Sequence, residues 1–176
     1  FFFIENMFSD TLYSLEFVCP VWMNFVAMVK SWGKTPVVVA NCPGFLVNRI
    51  LLPYMNEAAY LLQEGADIEM IDKVMTDFGL PMGPFQLADQ VGIDVGYKVA
   101  KILEQGFGPR MAVCPLLSTV YNDLQLLGKK KGAGFYIYEG KAIRTNPAIT
   151  GFAIQEQKRA HSEEDIIDRL MLIMVN

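Results

Sequence analysis

The sequence predicts a mainly α-helical protein in which one helix and one short strand precede the main run of helices. From Phe45 onward, apolar residues recur every three or four positions, which is typical of amphipathic helices. The clearest strand signal is the β-branched run 37–39, which lies between Pro36 and Asn41. A second, aromatic strand or extended segment is predicted over 135–138. Together these features predict helices within 21–32, 45–64, 68–78, 84–91, 95–105, 115–127 and 163–176.

The first helices have identifiable end signals. Gly33 and Gly65 are suited to end the helices that precede them, because glycine adopts the left-handed conformation at little cost. Pro53 lies inside the second helix and should kink it. Asp67 is a good N-cap for the third helix, and Pro84 fits the first position of the fourth.

The later helices are delimited in the same way. Asp94 is expected to cap the fifth helix, and Pro115 to begin a sixth that ends at Gly128. Ser162 precedes three acidic residues, an arrangement that favours the start of a final helix. The polar residues 139–161 are interpreted as a linker, so His161 is expected to be exposed to solvent.

Composition restricts the function. The chain has 176 residues, is 52% hydrophobic and only 19% charged, and carries a net charge of −4, which argues against general nucleic-acid binding. Three cysteines without a C-x-x-C spacing and a single histidine make a zinc site unexpected, and indicate reduced thiols. No apolar stretch is long enough to span a membrane. Both ends fall inside apolar patterns, which suggests a fragment of a longer polypeptide.

Asn48 is the most informative polar residue. It lies one turn into a nearly all-apolar helix, where an unpaired buried amide would cost about 1–3 kcal/mol. Two interpretations follow from the spacing alone. Asn48 is either an amide that is hydrogen-bonded within the core or a residue that faces a substrate.

Three motifs carry a family resemblance. They are CPGFLVNR at 42–49, LPMGPF at 80–85 and GAGFY at 132–136. Their order and spacing, within residues 33–138, resemble the L-3-hydroxyacyl-CoA dehydrogenases of fatty-acid β-oxidation. The resemblance implies a two-part enzyme in which a Rossmann domain binds NAD. An all-helical C-terminal domain, like that of 6-phosphogluconate dehydrogenase, completes the active site. No G-x-G-x-x-G follows a strand in this sequence, so the phosphate site for NAD is expected outside it.

The resemblance also implies a division of the chain. Residues 1–41 are expected to be the remnant of the Rossmann domain, 42–138 the helical domain, 139–161 a linker, and 162–176 the start of a second, degenerate helical repeat. The repeat is suggested because Arg and Asn bracket apolar stretches at both 49–56 and 169–176. Such a second copy occurs in multifunctional enzymes of β-oxidation, where it packs as a partner subunit's domain does in dimeric members.

The family chemistry assigns roles to particular residues. The family oxidises a 3-hydroxyacyl-CoA to the 3-ketoacyl-CoA and transfers hydride to NAD. Asn48 matches the family's active-site amide, which holds the 3-oxygen of the substrate. Pro84 and Phe85 are expected to shape the acyl side of the site, the alternative being a rigid turn between helices. Asp168 stands where the first copy has Asn48, so the second copy is interpreted as scaffold.

Several expectations concern the remaining polar residues. The family's catalytic base is a His of an H-F-F segment, and this sequence has Phe1–Phe3 without the His. Glu16 resembles the Glu that orients this base, although its spacing to Gly33 is short; the alternative is an exposed Glu. Arg49 is expected to pair with Glu57 or a nearby carboxylate. The lysines 129–131 either attract the phosphates of CoA or form a solvated loop.

The leading interpretation is therefore a substrate-binding and interface domain of an NAD-dependent 3-hydroxyacyl-CoA dehydrogenase, inactive by itself. Its partners would be acyl-CoA, its own Rossmann domain, and a second helical repeat or partner subunit, with no nucleic acid. The compartment would be the bacterial cytoplasm, or the peroxisome or mitochondrial matrix of a eukaryote. The alternatives are a packing and dimerisation module without a part in the chemistry, and a β-hydroxyacid dehydrogenase of another family.

Overall fold

The N-terminal part of the chain forms a β–α–β arrangement. A computed structural model describes residues 2–5, 15–39, 41–140, 142–149 and 161–175, with side chains from Met23 onward. Strand β1 (Phe2–Glu5) pairs in parallel with strand β2 (Pro36–Val39), and helix α1 (Leu15–Ser31) connects them. The predicted helix and strand are confirmed, although the helix begins earlier. The side chain of Glu16 and any contact of Phe1 lie outside the described part.

The other helices belong to a second unit, Val47–Asn176, which is separate from Phe1–Leu46. An antiparallel hairpin joins strands β3 (Tyr136–Glu139) and β4 (Ala142–Thr145). Within the described residues, no helix is long and apolar enough to cross a membrane. The helices are α2 (Val47–Gln63), α3 (Ile68–Phe78), α4 (Pro84–Val91), α5 (Ile93–Phe107), α6 (Pro115–Ser118) and α7 (Glu163–Val175).

Helix α2 lies at the centre of this unit. Helices α3, α4, α5, α6 and α7 lie close to α2 or contribute residues to the same core, so apolar residues of α2 are buried in several directions. Leu170 of α7 is fully buried in that core, as is Ile149 from the segment before α7. The mainly α-helical fold predicted from the sequence is confirmed. Residues of the core from α2 are Tyr54, Met55, Ala58, Ala59, Leu61 and Leu62.

The predicted caps of α3 are confirmed, whereas two later predictions are wrong. Asp67 accepts hydrogen bonds from the backbone of Glu69 and Met70, and Gly79 ends the helix with a φ of 122°. The N-cap of α5 is Gly92, and Asp94 lies in the first turn, where it binds Lys130 instead. The predicted helix 115–127 is α-helical only over 115–118. A wider π-turn follows over 119–123, because the Leu124 amide bonds to the carbonyl five residues earlier.

The buried carboxylate of Asp72 holds the start of α4. Gly83, the N-cap of α4, has no side chain that could cap the helix. Asp72 of α3 replaces it by accepting from the backbone N–H groups of Phe85 (2.9 Å) and Gln86 (3.0 Å). Tyr136 donates its hydroxyl to the same carboxylate at 2.8 Å. The first amides of α4 are thus satisfied by a neighbouring helix.

The buried carboxylate of Asp89 holds the GAGFY segment in the same way. It accepts from the backbone N–H groups of Phe135 and Tyr136, both at 2.9 Å, and from the hydroxyl of Tyr138 at 3.0 Å. A Cβ on Gly134 would lie 1.9 Å from an Asp89 oxygen, so only glycine allows this approach. Tyr136 therefore connects Asp72 and Asp89.

The segment predicted as a linker contains ordered structure next to this turn. Strand β4 pairs with β3, and buried Asn146 donates its side-chain amide to the Gly134 carbonyl at 2.8 Å. Its side-chain oxygen accepts from the Ala148 amide. Residues 150–160 lie outside the described part. The division into a helical domain, a linker and a second repeat remains a prediction.

Helix α7 is fixed to α2 by ionic contacts that the sequence did not predict. Arg169 bonds to Glu57 at 2.7 Å and to Glu64 at 2.6 Å and 3.1 Å. The expected pairing of Arg49 with Glu57 is therefore wrong: the Arg49 guanidinium lies 4.4 Å from the centre of the Phe107 ring. The expected exposure of His161 is also wrong, because its side chain is only 4% exposed and lies 3.4 Å from Glu64.

We expect alanine at Gly83 or Gly134 to lower the free energy of unfolding by about 3 kcal/mol, the upper range for overpacking. The added methyl groups would lie 2.3 Å from Asp72 and 1.9 Å from Asp89. Urea unfolding followed by circular dichroism measures the change. Gly96→Ala is the matched control, because a Cβ there meets no atom within 4 Å and alanine favours the helix. Equal stability of all three variants would contradict the close approach of Gly83 to Asp72 and of Gly134 to Asp89.

We expect the stability of the helical unit to depend on the Asp72 proton. Burial raises the pKa of Asp72 from 3.8 to about 6, so the folded protein binds this proton more tightly than the unfolded chain does. The stabilisation is present below pH 4 and is lost as the pH rises to 6, by at most about 3 kcal/mol. Urea midpoints measured from pH 4 to 7 should fall less steeply for Asp72→Asn than for exposed Asp77→Asn. The same slope in both variants would refute the pKa shift.

We expect Arg169→Met to destabilise the protein by about 1–2 kcal/mol, between the values for exposed and buried ion pairs. The substitution leaves Glu57 and Glu64 close together without their shared cation. Arg144→Met is the matched control, because Arg144 and Glu139 form a pair whose side chains are at least 60% exposed. Its effect should stay below about 0.5 kcal/mol. Thermal unfolding of both variants measures the difference. Equal effects would show that the Arg169 contact stabilises the protein no more than an exposed ion pair does.

Candidate functional site

Asn48 lies in the first turn of α2, directly after an unusual turn. Gly44 and Phe45 both have positive φ angles, 75° and 48°. This conformation is strained for phenylalanine, by about 1–2 kcal/mol. Backbone strain of this kind is concentrated at functional sites. Phe45 lies three residues before Asn48, so the turn immediately precedes the start of α2.

The amide of Asn48 is available to a ligand. Asn48 is partly exposed, and within the described residues its side chain has no hydrogen-bonding partner. Asn56, two turns later in α2, behaves differently: it donates to the Ala112 carbonyl at 2.9 Å and accepts from the Cys114 amide at 2.8 Å. Asn56 is thus the satisfied structural amide. Of the two interpretations of Asn48, an amide that is hydrogen-bonded within the core is not what the described residues show, and a substrate contact stays a prediction.

Pro84 and Phe85 are fixed at the start of α4. Pro84 needs no partner for its nitrogen, and the amide of Phe85 is held by Asp72. The Phe85 ring is 2% exposed and lies 4.7 Å from the ring of Phe135 at an angle of 50°. These side chains are rigid because backbone and ring contacts both hold them. The rigid turn is therefore observed, and a role in substrate binding stays a prediction.

A small apolar cavity lies between α2, α4, α5 and α6. Its volume is about 30 Å³, and Pro84 and Phe85 line one side of it. Leu52 and Met55 line the side formed by α2. Asn48 is not part of the lining, but it precedes Leu52 by one helical turn on the same face of α2. The structure thus places Asn48 beside the cavity's wall rather than in it.

A polar network fixes the wall of this cavity at Tyr97. The Tyr97 hydroxyl lies 3.3 Å from the Ser118 hydroxyl and 3.4 Å from the Asn122 amide nitrogen. These hydrogen bonds, first that of Ser118 and then that of Asn122, lower the pKa of Tyr97. The ring also stacks on Tyr121 at 4.9 Å. Sequence reasoning missed this residue, since its position on α5 only becomes significant once α6 packs against it.

Cys114 and the lysines 129–131 have surroundings that do not activate them as nucleophiles. Burial raises the pKa of the Cys114 thiol to about 11, so it is protonated at neutral pH and is a poor nucleophile. Lys129 binds the Gln90 side chain at 3.2 Å, and Lys130 binds Asp94. All three lysines of 129–131 remain exposed. Within the described segments, no group of His, Cys, Asp and Glu could hold a metal ion.

The chain is similar in sequence to a family of known proteins. A profile described as "3-hydroxyacyl-CoA dehydrogenase, C-terminal domain" matches residues 44–138. The fatty acid oxidation complex subunit alpha of Acinetobacter baylyi is 42% identical over 161 residues, which cover 86% of this chain and 22% of that protein. A subunit of the same name from Vibrio campbellii is also 42% identical, over 151 residues. The chain thus spans about a fifth of the length of these curated relatives.

Solved structures agree with this match. An (S)-3-hydroxybutyryl-CoA dehydrogenase from Ralstonia eutropha is 39% identical with a TM-score of 0.63, over 66% of this chain and 42% of that one. The dehydrogenase part of multifunctional enzyme 1 from C. elegans is 29% identical with a TM-score of 0.65, over 88% of this chain and 36% of that one. The matched segment begins with the turn before Asn48 and ends with the strand that contacts Asp72 and Asp89. The chain therefore belongs to the 3-hydroxyacyl-CoA dehydrogenase family, of which it carries the C-terminal domain.

Proposed function

We propose that this chain is the substrate-side helical domain of an NAD-dependent dehydrogenase that converts 3-hydroxyacyl-CoA to 3-ketoacyl-CoA in fatty-acid β-oxidation. The free amide of Asn48, in the first turn of α2, is the observation that carries the proposal. Its support from relatives is that the curated proteins named above are alpha subunits of fatty acid oxidation complexes. The parent polypeptide would be multifunctional, with the remaining activities on other domains.

The proposed role of Asn48 follows from the chemistry of alcohol oxidation. A base removes the hydroxyl proton while hydride leaves from the same carbon, so negative charge develops on the 3-oxygen. NAD supplies the hydride acceptor when it is bound. A fixed N–H donor close to that oxygen stabilises the transition state more than the substrate. The amide of Asn48 can supply this donor, because no neighbouring group among the described residues already uses it.

The other reacting groups are assigned to the NAD-binding domain. The sequence contains no glycine-rich phosphate loop after a strand. We propose that the base and the carboxylate that orients it lie on that domain, with the reaction in the bacterial cytoplasm or in the peroxisome or mitochondrial matrix. Cys42 and Cys114 are free thiols, which agrees with a reducing compartment. The domain is proposed to pack on its own NAD-binding domain and on a second helical repeat or partner subunit.

We expect Asn48→Ala to lower kcat by about 10- to 1000-fold in the full-length polypeptide, the scale for the loss of one preorganised donor. KM and thermal stability should change little, since the side chain has no intramolecular partner in the described structure. NADH production from 3-hydroxybutyryl-CoA measures the effect. Asn24→Ala is the matched control, because Asn24 is exposed on α1. A kcat within twofold of the wild type would contradict the proposed role.

We expect the chain of 176 residues alone to oxidise no 3-hydroxyacyl-CoA, because it lacks the glycine-rich loop that would bind NAD. The same assay with purified fragment tests this point. NADH production above the blank, which disappears in Asn48→Ala, would show that the domain is sufficient for catalysis. Added NAD-binding domain should restore turnover if the two domains associate.

A further inference from the structure

We propose that the cavity between α2, α4, α5 and α6 receives the distal carbons of the acyl chain, and that Gly96 sets the chain length that is accepted. The inference rests on the proposed function, because it takes the 3-oxygen to be held at Asn48. It assigns a binding role to Gly96 and Tyr97, which lie outside the motifs of the sequence.

The position of the cavity fits a substrate that is held at Asn48. Asn48, Leu52, Met55 and Asn56 share one face of α2, since they are spaced at i, i+4, i+7 and i+8. Leu52 lies about 6 Å and Met55 about 11 Å along the helix axis from Asn48, at a rise of 1.5 Å per residue. Leu52, Met55 and Asn56 all line the cavity. An acyl chain that leaves Asn48 along this face therefore reaches the cavity with its far end.

The lining selects an apolar ligand. Pro84, Phe85 and Leu117 present apolar surface to the cavity. The two polar side chains in the wall, Asn56 and Tyr97, are already hydrogen-bonded to other parts of the protein. A polar ligand would lose its hydrogen bonds to water without gaining partners here, whereas methyl and methylene groups would be removed from water.

Gly96 lies in the wall of the cavity and has no side chain that would fill it. A glycine inside a helix is less favourable than alanine unless the backbone requires it. At Gly92, earlier in the same cavity wall, the backbone does require it: φ is +102°, and a Cβ would lie 3.0 Å from an Asp94 oxygen. Gly96 has neither constraint, and its Cβ would meet no atom within 4 Å. Position 96 therefore has room for a side chain, and Gly96 lines the cavity that this side chain would enter.

The size of the cavity sets the expected effect. About 30 Å³ is room for one or two methylene groups at the end of a chain. Loss of a methylene pocket typically changes kcat/KM by 10- to 200-fold. A side chain at position 96 should therefore reduce kcat/KM by at least about tenfold for substrates whose chain enters the cavity. The four-carbon substrate has one carbon beyond C3 and should not reach it.

The test is a chain-length profile of the full-length dehydrogenase with 3-hydroxyacyl-CoA substrates of four to ten carbons. Gly96→Val should lower kcat/KM about tenfold for the longer substrates and leave 3-hydroxybutyryl-CoA within twofold. Gly96→Ala should have a smaller effect in the same direction, and it also guards against misfolding because alanine favours the helix. Val95→Leu is the matched control. Val95 is exposed, so the larger leucine adds apolar volume outside the cavity.

Xenon-pressurised crystals of the wild type and of Gly96→Val report the cavity independently of activity. Xenon should occupy the wild-type cavity and be excluded from the variant. An unchanged chain-length profile in a variant whose cavity is filled would overturn the inference, as would an equal loss for all chain lengths. A wild-type enzyme that oxidises none of the substrates would overturn the proposed function itself, and the inference with it.

Discussion

The helical unit depends on two buried carboxylates that have no cation beside them among the residues that the structure describes. Asp72 and Asp89 are 3% and 1% exposed, and each accepts three hydrogen bonds from the protein. Burial of such groups is unfavourable unless their lone pairs are satisfied. To satisfy these lone pairs, the backbone amides in the first turn of α4 lie within 3.0 Å of the Asp72 oxygens. The backbone amides at the start of β3 lie 2.9 Å from the Asp89 oxygens. That requirement fixes the two elements relative to α3, and through them the wall of the cavity.

The same constraint explains why the family motifs contain glycine. In LPMGPF, Gly83 leaves room for Asp72, and Pro84 has no N–H that would need a partner. In GAGFY, Gly134 leaves room for Asp89, while Tyr136 contacts both carboxylates. LPMGPF and GAGFY are therefore mostly structural motifs. They position the apolar residues of the cavity wall and offer no reacting group themselves, whereas CPGFLVNR carries Asn48.

The sequence was sufficient for most of the helices and for the caps of α3, because these depend on local spacing and on local hydrogen bonds. Asp67 and Gly79 behave as the spacing predicted. Two failures are local, since Gly92 caps α5 in place of Asp94 and the helix from Pro115 widens into a π-turn. Two others involve partners that are distant in the sequence: Arg169 takes the place of Arg49 at Glu57, and the His161 side chain is buried beside Glu64. The buried aspartates had a weak signal, as carboxylates that follow apolar residues on the core face of helices. Nothing local shows that their partners lie 13 and 46 residues further along the chain.

Helix α2 shows how a functional residue can be separated from structural ones. Glu57 holds Arg169 together with Glu64 just after the helix, Tyr54 and the leucines fill the core, and Asn56 fixes the 112–114 segment. Glu57 and Asn56 each have a partner within the unit, so removing either would leave that partner unsatisfied. Of the three side-chain amides of α2, Asn48 alone has no hydrogen-bonding partner among the described residues, and the hydroxyl of Tyr54 has none either. The two groups differ in exposure: Tyr54 is 1% exposed, whereas Asn48 is partly exposed and can meet a ligand, which in the proposed function is the 3-oxygen of the substrate.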